Sequence, residues 1–155
     1  MPDYALIKTL HILGAIVLFG LGLGSVFYKY MSDRSGNVSA MAVTNRLVVR
    51  ADAWFTTPAI LLQPLTGFYL VAAGGYDWAQ GWLRLAVLLY LLAGACWLPV
   101  LVLQVRMRDE AAAAALHGRP LSPRYWRHAR YWRLLGLPAF GAMLLLVWLM
   151  VSRPV

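Results

Sequence analysis

Charge is what this chain has least of. Only 13% of its 155 residues are Asp, Glu, Lys or Arg, against about a quarter in a soluble domain. An ordinary water-soluble globule is therefore excluded, and so is a disordered tail, which needs few apolar residues and many charges. Cysteine is nearly absent too. The single Cys96 cannot close an intrachain disulfide, and a zinc site built from cysteines falls with it. No stretch alternates polar and apolar residues over the roughly ten positions of a membrane barrel strand. Serine and aspartate at catalytic spacing to histidine are missing, and no paired carboxylates fall inside an apolar run. The N-terminus lacks the basic region of a cleavable signal, and its apolar block is too long for one, so the block is expected to stay as a span. There is no clear internal repeat.

What the chain does have is apolar sequence in long blocks, 61% of all residues. A helix crossing about 30 Å of hydrocarbon needs roughly 20 mostly apolar residues. Four stretches meet this, roughly 4–28, 53–73, 82–105 and 134–151. Backbone groups in lipid must bond within their own element, which makes helices the default. The expected fold is all-α, a single transmembrane domain over 1–155 built as an integral membrane four-helix bundle. Gly74-Gly75-Tyr76-Asp77 reads as a turn joining the second and third spans in an antiparallel hairpin. Val38 to Arg50 mixes Met41, Val43, Leu47 and Val48 with Arg46 and Arg50, which suggests an interfacial helical lead-in to the second span. The alanine run between Asp109 and Leu116 predicts that the third helix continues past the membrane surface until Gly118 and Pro120 stop it.

Orientation follows from Lys and Arg. The segments 29–52 and 106–133 hold eleven of them, and only Lys8, Arg84 and Arg153 lie on the other side. Both basic loops are therefore expected in the cytoplasm and both termini outside, on the periplasmic side if the membrane is a bacterial inner one. The formal charge of +8 is read as a topology signal and as contact with anionic membrane lipids, not as a nucleic-acid surface. Tyr125, Trp126, Tyr131 and Trp132 interleave with the arginines as an interfacial belt would. Asp109 and Glu110 are read as a solvated pair.

Gly20-Leu21-Gly22-Leu23-Gly24 follows no strand and is no nucleotide fingerprint; its four-residue glycine spacing suits close helix packing. The sharper feature is Lys8-Thr9-Leu10-His11. Only this one of the three histidines falls within a span, about one and a half to two turns below its outer end. An ionisable group there is costly without a partner or a wet cavity. Lys8 shares its face, and Gly14 and Ala15 continue that face one turn deeper. An imidazole above small residues is what haem requires: an axial nitrogen and room for the ring. Lys8 would pair with a propionate, and Tyr90 and Trp97 would wall the pocket. Met143 is the thioether expected nearest that depth; a five-coordinate iron, or a haem shared by His11 of two chains, fits equally. The alternative is that His11 only bonds a neighbouring helix while Lys8 snorkels to the surface. Gln63 is a rare buried amide in need of a partner, and Pro58 and Pro64 should kink their helix and free carbonyls of the preceding turns.

These residues also carry resemblances. Lys8-Thr9-Leu10-His11-Ile12-Leu13-Gly14, Val48-Val49-Arg50-Ala51-Asp52, Thr56-Thr57-Pro58, Gln63-Pro64-Leu65-Thr66-Gly67 and Leu92-Ala93-Gly94-Ala95-Cys96-Trp97-Leu98-Pro99 resemble a family of small bacterial integral membrane proteins known only as a domain of unknown function. Over the first span the chain is also similar to HemJ-type protoporphyrinogen oxidases and CopD-like membrane domains, which share a Lys-x-x-His followed by small residues. That likeness implies haem b on His11 and a redox role, as an oxidase or an electron-transfer component beside a redox partner or a second copy. Two other functions stay open: a cofactor-free accessory subunit of a membrane complex, and a small transporter with Gln63, Thr66 and His11 as its polar path.

Overall fold

The computed structural model describes residues 2–153. All regular structure among them is helical: α1 (Pro2–Arg34), α2 (Val38–Ala51), α3 (Thr57–Ala73), α4 (Gly81–Leu116) and α5 (Pro123–Ser152). A π-helical turn, Asp52–Thr56, joins α2 to α3 without a break. Four helices are long and apolar enough to span a membrane, with α2, the π turn and α3 forming one of them. The expected lead-in before the second span is thus helical and continuous with it.

Local chemistry sets the boundaries. The Asn37 carboxamide caps α2 by accepting from the Ala40 N–H at 3.1 Å, and Ser122 caps α5 by accepting from the Tyr125 N–H at 3.3 Å with Pro123 in the first turn. The alanine run carries α4 to Leu116, where Gly118 follows with φ +58°, the left-handed conformation in which helices commonly end on glycine. The 36 residues of α4 measure about 54 Å, far more than the hydrocarbon thickness. Most of the segment read as the third loop is therefore helix, and the true connection between α4 and α5 is short.

The helices pack as two pairs, α1 along α3 and α4 along α5, with α2 bridging α4 and α1. The Gly74–Asp77 turn joins α3 to α4, but each of them runs beside another partner. A principal core lies beyond the membrane, where Met107 and Ala111 of α4 meet Tyr125, Ala129 and Trp132 of α5, with Ala42 of α2 against them. We call this region the head. Tyr125 and Trp132, expected in an interfacial belt, are buried there, whereas Trp126 and Tyr131 are exposed. Glu110 likewise departs from the solvated reading. It lies 3.4 Å from Arg124 Nε and 3.2 Å from His128 Nδ1 and accepts from Ser122 Oγ at 3.1 Å, tying α4 to α5.

Inside the membrane the two pairs meet through side chains. Phe19 and Phe140 make an edge contact at 5.5 Å, and Tyr90 reaches from α4 to α3. A Cβ on Gly20 would meet nothing within 4 Å. The expected close packing at Gly20 and Gly24 is absent, and the close approach occurs at Gly14 instead.

Candidate functional site

The α1–α3 seam is built on four residues that their helices bring to one height. His11 and Gly14 lie one turn apart on the buried stripe of α1; Gln63 and Thr66 lie three apart on that of α3. The His11 Nδ1 stands 2.7 Å from Thr66 Oγ1. The Thr66 hydroxyl is also 2.8 Å from the Leu62 carbonyl and 3.2 Å from that of Gln63. Carbonyls only accept, and a hydroxyl carries one proton. The hydroxyl proton therefore goes to a carbonyl, and Oγ1 accepts from His11 Nδ1–H. This places a proton on Nδ1; in the neutral imidazole, the less costly form in an apolar interior, Nε2 keeps its lone pair.

Gln63 answers the question its burial raised. Its Nε2 donates to the His11 carbonyl at 2.9 Å, and it occupies the recess over Gly14 so closely that a Cβ there would collide with it. The room at Gly14, read from sequence as space for a macrocycle, is filled by this amide. The other open edge is on α3. A Cβ on Gly67 would stand 3.5 Å from His11 Cε1, in ordinary van der Waals contact, so α3 lies close to the ring edge between Nδ1 and Nε2.

Tyr90 is linked to the same seam through the backbone. Pro64 has no N–H, and the carbonyl four residues earlier, that of Ile60, has no helical donor. Tyr90 Oη donates to it at 2.6 Å. The other expected residues stay apart. Lys8 is exposed. Trp97 is half-buried on α4, with its indole N–H lacking a hydrogen bond. Met143 is half-buried on α5. With Phe19 and Phe140 in contact, His11 lies about 12 Å outward of Phe19 along α1, and Met143 only about 4.5 Å outward of Phe140 along α5. Met143 is thus deeper than His11, and the structure does not bring the two together.

A second polar cluster was not read from the sequence. Lys29 is 2% exposed. Its Nζ donates to both carboxylate oxygens of Asp33, at 3.2 and 3.1 Å, and to Tyr125 Oη at 2.9 Å. The phenol donates to Asp33 at 2.8 Å and accepts from Asn45 Nδ2 at 2.9 Å. The ammonium also lies 4.9 Å from the centre of the Tyr125 ring, a cation–π distance. Both groups lie past the apolar run that ends at Tyr28. Burial holds the Lys29 ammonium below its usual pKa, against the opposing pull of Asp33, and burial pushes the Tyr125 phenol up. The sequence signal was there in Lys29 and Asp33, four apart where an apolar run ends; nothing local pointed to Tyr125. Asp52 is buried at the π turn, where its carboxylate accepts from Thr56 Oγ1 at 2.8 Å.

A family model described as a predicted integral membrane protein, DUF2269, matches residues 5–154. The chain belongs to the DUF2269 family. No curated protein and no solved structure matches it. The DUF2269 match runs through all four spans, so the His11 seam and the Lys29 cluster both lie within it. Among the described residues of this DUF2269 protein, no three His, Cys, Asp or Glu side chains are grouped as a metal site would need.

Proposed function

We propose that this protein is a haem-b-binding redox protein of the bacterial inner membrane, with the termini periplasmic and the head cytoplasmic. The observation that carries the reading is the 2.7 Å hydrogen bond that Thr66 makes with the ring of His11. Its Nδ1–H is anchored on Thr66, and a neutral imidazole with one nitrogen so held and the other free is the usual state of an axial ligand. His11 would hold the iron through Nε2. Lys8, exposed near the outer end of α1, would pair with a propionate. A bound haem would supply one-electron transfer. The chain's own part is to fix the imidazole, keep it neutral and exclude water from it. The Lys-x-x-His likeness to HemJ-type and CopD-like proteins points the same way.

A second reading is favoured by the Gln63 amide in the Gly14 recess. Here His11, Gln63 and Thr66 are only a clasp between α1 and α3, and the protein is a cofactor-free accessory subunit of a membrane complex. One absorption spectrum separates the two. Protein purified in detergent from haem-replete cells should show a Soret band that shifts on reduction, and His11→Ala should remove it while leaving helicity unchanged. A colourless wild-type protein, purified with a stoichiometric partner, would establish the accessory role and end the haem proposal.

A further inference from the structure

A groove of about 480 Å³ opens between α4 and α5, lined by Pro99, Val102 and Leu103 on one side and Leu134 on the other, with Arg106 and Tyr131 at its end. Its polarity has a direction. Pro99 to Leu103 lie inside the third apolar run and Leu134 begins the fourth, whereas Arg106 and Tyr131 stand where those runs stop. The floor is therefore at hydrocarbon depth and the mouth at headgroup depth, the order of parts in a phospholipid.

The charge at the mouth is uncompensated. Arg108 pairs with Asp109, and Arg124 lies beside Glu110, so both carboxylates of α4 are engaged. Arg106 is exposed and has no ion pair among the described residues. On α5, Arg127 and Arg130 are exposed one turn before Tyr131 and Leu134 and share their faces. A second copy of this chain presenting the same groove would bring like charges together. A zwitterionic lipid would carry its own ammonium to the arginines. An anion with an acyl chain meets neither objection.

We infer that this groove binds one anionic phospholipid, its acyl chain along Val102 and Leu134 and its phosphate at Arg106 and Tyr131. Native mass spectrometry of the full chain in detergent tests this with phosphatidylglycerol and phosphatidylcholine of identical acyl chains. Phosphatidylglycerol should be retained as a single adduct per chain, about fivefold or more over phosphatidylcholine. Arg106→Gln should reduce that preference about fivefold. Val102→Trp fills the groove and keeps every charge, so loss of the adduct in this variant separates the groove from general attraction to the arginines. Arg84→Gln, at the opposite end of α4, should change nothing, and circular dichroism shows whether each variant is folded. Equal retention of the two lipids, an undiminished adduct in folded Val102→Trp, or displacement of phosphatidylglycerol by inorganic phosphate alone would each overturn the assignment.

Discussion

Gly14 shows how one missing methyl group fixes a seam. Gln63 Nε2 occupies the volume a Cβ would need and from there bonds the His11 carbonyl. Gly14→Ala must move the far end of a flexible side chain, so the helices need not part, but the hydrogen bond is lost. We expect a loss of about 1 kcal/mol, read by reversible unfolding in mixed micelles. Gln63→Ala should then cost little more in the Gly14→Ala background, because the bond is already gone. Gly20→Ala, at an open position, serves as the comparison and should change stability little. A Gly14→Ala protein as stable as wild type would mean the amide has an equally good place elsewhere. A glycine one turn below a histidine is visible in the sequence. That an amide rather than a macrocycle fills the space above it is not, because the amide arrives from a helix some fifty residues away.

At the scale of the helix, Pro64 sets a problem within α3 that α4 solves. Proline removes the donor for the Ile60 carbonyl, and in lipid no water replaces it. The Tyr90 hydroxyl does so at 2.6 Å. Tyr90→Phe should therefore destabilise the protein by about 1 kcal/mol. In the Pro64→Ala background a backbone N–H is available again, and the same Tyr90→Phe change should cost almost nothing. A double-mutant cycle gives the answer directly: additive effects would show that Tyr90 does not compensate for the proline. The freed carbonyl was legible from Pro64 alone. Its partner depended on how α4 is placed against α3, where the two helices meet by a side chain and not along their lengths. The lead-in helix was equally legible from its mixed apolar and basic residues, while the π turn that joins it to α3 had no recognised local signature.

Across the whole molecule, two membrane pairs are joined by a head in which Lys29, Asp33, Asn45 and Tyr125 bond one another across α1, α2 and α5. The Lys29 ammonium, the Asp33 carboxylate and the Tyr125 phenol each have partners here, which is the condition under which burying charge is tolerated. The proposed topology, which rests on the Lys and Arg distribution, puts this head in the cytoplasm. In a Cys96→Ala background, a cysteine replacing Ser39 at the exposed start of α2 should react with a membrane-impermeant maleimide in inverted vesicles and not in intact cells. A cysteine replacing Asp77, in the α3–α4 turn, should show the reverse. The opposite pattern would invert the topology and put the His11 end of the seam towards the cytoplasm.

Four membrane helices, their approximate limits and the onward run of α4 could be read from composition, because hydrocarbon accepts only long apolar segments that bond their own backbones. The importance of His11 and Gln63 was readable for the same reason, since polar groups are rare at that depth. Partner choice was not readable. Thr66 for His11, the His11 carbonyl for Gln63, and Tyr125 for Lys29 are contacts between residues 52 to 96 positions apart. Those pairings come from the relative placement and rotation of whole helices, and no periodicity within one helix encodes them.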